Sequence, residues 1–383
     1  MGNEVSGRNP GFDVLRGGAL ALMVMAHFSR TIPATGGVSA GISLVGETAP
    51  AFFFFAFGLT FERFLRKPSS FKWRQTVLFL YVAVMHNIFL RDWYVSDFLA
   101  FLLLWRTVLW GTSTLGTWHK KLWTFLSLGV LVALVISPEP MMRRAFQGVI
   151  PGPFPLMPWG LFILAGWLQG QLSVVKRGCV GVGATALGLG LLVGAQWGGF
   201  SYWEFDKWPM TSSYFLLLTG VGLLTLSAIE YRHQRRRLRL WEPVTFLSKN
   251  LLLATVVHYV PVMILKEITP RLIPVASLDG NLGALVIVAG SVVCVVVTYW
   301  LVRLLLLVWQ RLQGTRPLEA FVSVYDVVAL GGIVVSAVWL GANGINGMQE
   351  LGVGRWVQVL RIPVWGMMVV FALVMQSKRK TAR

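Results

Sequence analysis

Long apolar stretches recur along the chain, each bounded by a short cluster of polar and basic residues. A helix needs about 17–25 mostly apolar residues to cross a bilayer. Stretches of that kind fall at roughly 12–32, 44–64, 76–91, 95–111, 121–137, 156–174, 178–198, 211–230, 244–266, 281–309, 319–340 and 355–376. Those at 76–91 and 95–111 are short and the last is weak, so the pattern predicts about 10–12 spans. The expected fold is all-α: a polytopic transmembrane helix bundle, with 1–383 forming a single integral-membrane domain.

Composition supports this reading. The chain is 55% hydrophobic with a mean hydropathy of +0.66, and only 13% of its residues are charged. That is about half the share in soluble domains. The 40 glycines and 17 tryptophans fit a membrane protein, since Gly is common in transmembrane helices and Trp anchors at interfaces. The net charge of +18 would suggest nucleic acid in a soluble protein. Here the basic residues lie in short loops, which points to orientation in the membrane and to no nucleic-acid partner. With a cytoplasmic N-terminus, the inner loops hold 21 Lys and Arg and the outer ones 8. The positive-inside rule then predicts that both termini are cytoplasmic. Arg143 and Arg144, in a proline-rich outer loop, are the discordant pair. Cys179 and Cys294 sit in apolar stretches and form no CxxC or disulfide framework. The start "MGNEVSGRNP" is not a signal-peptide n-region, so the first helix is expected to be retained.

The first apolar segment, "GFDVLRGGALALMVMAHFSR", carries Asp13, Arg16 and His27. Ionisable groups within spans are costly and point to function. At 100° per residue, Arg16 and His27 lie within about 20° of one face and about 16 Å apart, with Asp13 about 60° away. Asp13 and Arg16 can also neutralise each other at i,i+3. Two readings stay open. The three can line a ligand path, or Asp13–Arg16 can be an interfacial helix-start pair and His27 a satisfied polar residue. His258 and His86 lie toward outer helix ends, where a hydrogen-bonded structural role is the default. Arg106, Arg303 and Asp326 sit toward the inner side, Glu47 begins an outer helix, and His119 is expected in a solvated inner loop. There is no GxSxG elbow, Walker A loop, HExxH or Cys/His cluster, so nothing implies a metal.

These segments resemble a family. "FDVLRGGALALMVMAHF" resembles the opening "LDxLRGxAxxxMxxxH" of polytopic membrane acyltransferases. These include the heparan-α-glucosaminide N-acetyltransferase-like, OpgC-type and acyltransferase-3 proteins. "ETAPAFFFFAFGLTFERFLRK" is similar to their second helix, and "PFPLMPWGLFILAGWLQGQL" to their "PLLPWLGxxLLGxxLG" helix. "DKWPMTSSYFLLLTGVGLLTL" and "LRLWEPVTFLSKNLLLATVVHYVPV" resemble two later stretches of the bacterial N-acetyltransferase-like branch. The matches run in order from residue 11 to about 262, roughly two thirds of the chain. The family glycine and arginine before the late helix are Ser248 and Lys249 here, and its tyrosine is Thr255, while His258 is kept.

The resemblance implies acyl transfer from cytoplasmic acyl-CoA, acetyl-CoA in the first instance, to a hydroxyl or amine of a glycan or lipid-linked sugar outside. It implies His27 as catalytic base with His258 in support. Asp13, Arg16, Arg106 and Lys249 would lie toward the donor. The protein would sit among the lipids of a bacterial inner membrane, where copies could associate as a homo-oligomer. A rival class, a transporter or flippase for a small molecule or lipid-linked sugar, also tolerates charge within the membrane.

Overall fold

The computed structural model describes residues 9–30, 36–67, 98–136, 156–170, 172–198, 210–235, 242–273 and 280–312, with single positions at 32 and 154, among 69–83, and at 369 and 373. Among these the elements are helical, with no strand. They are α1 Pro10–Ser29, α2 Gly37–Glu47, α3 Ala49–Leu65, α4 Phe98–Thr112, α5 Thr117–Ile136, α6 Leu156–Gln169, α7 Val174–Gly198, α8 Ser212–Arg235, α9 Glu242–Lys249, α10 Leu251–Val257, α11 Tyr259–Leu272 and α12 Gly280–Leu312.

Seven stretches among the described residues are long and apolar enough to cross a membrane. They are Gly11–Ser29, Gly37–Leu65, Thr117–Ile136, Val174–Gly198, Ser212–Arg232, Leu251–Leu272 and Gly280–Leu312. The chain is an all-α integral membrane protein. α4 and α6 fall on the expected segments 95–111 and 156–174 but are 15 and 14 residues long. The expected spans at 76–91, 319–340 and 355–376 lie wholly or largely outside the described residues. The outward faces of α5, α7 and α12 present large apolar side chains, among them Phe125 at 74% exposed and Trp197 at 88%. Surfaces of that kind suit lipid rather than water.

The chain divides into two compact units. One comprises Met1–Glu62, Lys120–Met142 and Pro158–Leu301; the other comprises Arg63–His119, Arg143–Met157 and Val302–Arg383. In the first unit, α1 is packed against α2 and α8–α11. Asn9 starts α1: its side-chain oxygen accepts from the Gly11 N–H at 2.9 Å, and Pro10 sits where a missing N–H costs nothing. Glycines let the helices touch backbone to backbone. A Cβ at Gly17 would run into the Val244 carbonyl of α9, one at Gly58 of α3 into the Ile163 carbonyl of α6, and one at Gly166 of α6 into the Phe55 carbonyl of α3. On α7, the buried Gly181, Gly188 and Ala195 repeat every seven residues, and Gly181 and Gly188 lie against α8, a small-residue seam of the kind that drives association in lipid.

Two prolines mark departures from regular helix. Met157 has φ −122° and ψ 143°, because the ring of Pro158 disfavours helical torsions in the residue before it. At His258 the chain keeps right-handed torsions (φ −61°, ψ −22°) but passes from α10 to α11. Pro261 has no N–H to offer the Val257 carbonyl, so the ladder is interrupted there. With a second break at Asn250 (φ −111°, ψ 30°), the expected single span at 244–266 is three helical pieces. Conversely, residues 37–43, between the expected spans 12–32 and 44–64, are helical as part of α2. Ile42 of α2 reaches the apolar cluster of Val24, Phe28, Val262, Ile287 and Cys294. Tertiary burial of that residue supports a helix that its glycines would not favour.

Candidate functional site

His27 lies in the last turn of α1, and His258 at the α10–α11 junction. Their Nδ1 and Nε2 atoms are 3.0 Å apart, although 231 residues separate them in sequence. The ring centroids are 5.1 Å apart, so the two nitrogens point at each other across the gap. The second nitrogen of His258, Nδ1, is 2.6 Å from the Thr255 carbonyl oxygen. A carbonyl only accepts, so His258 Nδ1 donates and the lone pair of the neutral ring is on Nε2. His27 Nδ1 must then donate to it, which puts the lone pair of His27 on Nε2. The hydrogen-bond network thus assigns both tautomers. This chain of one imidazole oriented by a second, itself held by a fixed acceptor, has the logic of a base with its orienting partner. His258 is fully buried and His27 half-buried. Tyr259 closes the site: its ring stacks on His27 at 5.1 Å between centroids and lies 4.2 Å from His258.

The other end of α1 is ionic. Arg16 donates to Asp13 Oδ1 at 2.6 Å, and the Ser248 hydroxyl donates to the same oxygen at 3.2 Å. Asp13 is buried, while the Arg16 side chain is 20% exposed. Lys249 follows Ser248 at the exposed end of α9. From Ser248 beside Asp13 to His258 beside His27 the chain runs the same way as α1, with ionic groups meeting at one end and imidazoles at the other. Between these ends, on the same face of α1, Leu20 and Met23 are buried at 1% and 8%. Buried apolar side chains thus lie between Arg16 and His27 on this face of α1.

Arg106 belongs to the second unit. Its guanidinium lies 4.0 Å from the Phe64 ring centre and donates to Gln75 Oε1 at 3.2 Å. His119 is buried in the first turn of α5, not in a solvated loop. Glu47 ends α2 rather than beginning a helix, and Arg30 donates to both of its carboxylate oxygens at 2.7 and 2.8 Å. Arg303 is exposed on α12. His86, Arg143, Arg144 and Asp326 lie outside the described residues.

Sequence reasoning missed three features. Arg177, one of the 21 basic residues expected in inner loops, is buried in the first turn of α7 and pairs with the buried Glu230 of α8. Asn9 donates to the same glutamate, so the start of α1 is tied to both helices. Tyr259 was hidden as an ordinary aromatic beside a histidine. Its only sequence signal is adjacency to His258 and to Pro261, which breaks the helix. Thr255 stood out only as a lost tyrosine, yet it is its backbone carbonyl that orients His258. Among the described residues no group of three His, Cys, Asp or Glu is placed to hold a metal ion. No protein-family model, curated protein or solved structure matches the chain.

Proposed function

We propose that this protein is a membrane-embedded acyltransferase. In this reading it moves an acyl group, acetyl in the first instance, from cytoplasmic acyl-CoA to a hydroxyl or amine of a glycan or lipid-linked sugar. The acceptor would stand at the outer face of a bacterial inner membrane. The observation that carries the reading is the His27–His258 hydrogen bond with its tautomers fixed by the Thr255 carbonyl. A base with a defined lone pair is what an acceptor hydroxyl or amine needs when it attacks a thioester.

The step balances. His27 Nε2 takes the acceptor's proton as its oxygen or nitrogen bonds to the thioester carbon. The C–S bond breaks, and the departing CoA thiolate recovers the proton from His27. His258 holds the imidazolium in line throughout. The thioester is already activated, so positioning and one base supply much of the rate. Arg16 and Lys249 offer cations for the donor's phosphates at the ionic end, with Asp13 orienting Arg16. In this reading the donor's arm passes Leu20 and Met23, which lie between Arg16 and His27 on α1.

Full-length protein in nanodiscs, given labelled acetyl-CoA and envelope membranes from cells lacking the protein, should label a glycan fraction. Mass spectrometry of envelope glycans with and without the protein should show the same mass difference. Neither signal, under conditions where the protein is folded, removes the acyltransferase reading. The interruption at His258 within the span Leu251–Leu272 favours a second reading, a transporter or flippase, because broken helices commonly line substrate sites. Sugar or lipid movement in vesicles free of acyl-CoA would select it.

A further inference from the structure

We propose that Tyr259 is a positioning residue for the imidazole pair. Its ring face keeps His27 and His258 in line and stabilises the imidazolium that forms when His27 takes a proton. The role in transfer rests on the acyltransferase reading; the positioning of the two rings does not.

Both imidazoles lie within reach of one aromatic face. His27 is stacked on the Tyr259 ring at 5.1 Å with 29° between planes, and His258 lies at 4.2 Å and 37°. An aromatic face attracts a cation within about 6 Å of its centre through the ring quadrupole, more strongly when water is excluded. His258 is fully buried, so the positive charge shared along the Nδ1···Nε2 bond is poorly solvated. The ring's place is dictated locally. Tyr259 opens α11 directly after His258, where Pro261 interrupts the ladder. Asp13, the carboxylate on α1 that shares the polar stripe, is held by Arg16 and Ser248 at the far end of the helix. Glu47 is engaged by Arg30. The Tyr259 ring face thus stands beside the pair, in a role that a carboxylate serves in the serine hydrolases.

The test uses full-length protein in nanodiscs with labelled acetyl-CoA and envelope membranes as acceptor. Tyr259→Phe keeps the ring and should hold kcat within about threefold. Tyr259→Leu should lower kcat about 5- to 30-fold, the range a buried cation–π contact spans, with KM for acetyl-CoA unchanged. Mono-, di- and trifluorinated phenylalanine at 259 keep the shape while draining the ring's electron density, so kcat should fall stepwise. This series decides the matter even if the leucine variant does not fold. A flat fluorine series, or a phenylalanine variant as poor as leucine, overturns the cation role. In parallel, nuclear magnetic resonance on nitrogen-labelled histidine should detect coupling across the His27–His258 hydrogen bond in wild type and Tyr259→Phe, and its loss in Tyr259→Leu. Unchanged coupling in the leucine variant overturns the positioning role. If wild type transfers no acyl group, the acyltransferase reading falls, and the resonance arm still decides on Tyr259.

Discussion

At the scale of the residue, the two imidazoles have unequal roles. His27 Nε2 carries the lone pair, and His258 spends both nitrogens on orientation. On the proposed acyltransferase reading, His27→Ala should lose transfer about 10²–10⁴-fold, as removal of a positioned base does, with expression and acyl-CoA binding intact. His258→Ala should cost less, because the base survives without its orienter. Purified His27→Ala with wild-type transfer beside an inactive His258→Ala would exchange the two roles. Both histidines were legible as polar groups in apolar runs. Their contact was not, because nothing local in "MVMAHFSR" or "TVVHYVPV" specifies the other. The carbonyl that fixes the tautomers belongs to the backbone of Thr255, and any residue would supply it.

At the scale of the element, close approach is set by glycine. The Cβ of Gly166→Ala would strike the Phe55 carbonyl, and backbone cannot yield as a flexible side chain does. Overpacking of this kind costs about 1–3 kcal/mol. Gly183 of α7 has open space at the same position, so Gly183→Ala should be within about 0.5 kcal/mol of wild type or gain helix propensity. Unfolding of the two variants in mixed detergent micelles should separate them by that order; equal stabilities would mean that α3 and α6 are not in contact at glycine. The prolines were visible in the sequence and their consequences at Met157 and His258 follow from covalent geometry. The helix α2 was not visible, since its glycine-rich stretch becomes helical through packing of Ile42 that no local pattern announces.

At the scale of the molecule, a buried ion pair ties α7 to α8, and Asn9 joins α1 to it. Arg177→Met leaves Glu230 buried without its cation and should destabilise the fold by about 3–5 kcal/mol. The double variant Arg177→Met with Glu230→Met removes both charges and should recover most of that loss. A thermal-unfolding series on the four proteins measures the coupling; additive losses would show that the pair does not interact. Orientation is tested separately. The excess of 21 inner over 8 outer basic loop residues predicts that a reporter fused after Arg383 reads cytoplasm. An external signal there would invert the topology and move the Asp13–Arg16 end away from the CoA pool. Acetyl-CoA at a hundred times its Kd should stabilise the nanodisc-held protein by about 2.7 kcal/mol, and dephospho-CoA at the same concentration less. No stabilisation by either would favour the transporter.

The sequence alone determined the solvent of this protein and its class of structure. Apolar runs of span length, few charges and basic loops leave only a helical bundle in lipid, because each backbone group there must find its partner within its own helix. It also determined which side chains were costly enough to need a reason, Asp13, Arg16, His27 and His258 among them. Only tertiary structure decided how those costs are met. Asp13 meets Ser248 across 235 residues, His27 meets His258 across 231, and Arg177 meets Glu230 across 53. Helical periodicity sets the face on which a residue stands. Which face of which helix lies opposite depends on how glycine seams, aromatic bulk and helix breaks along the whole chain fit together, and that fit is not written in any one segment.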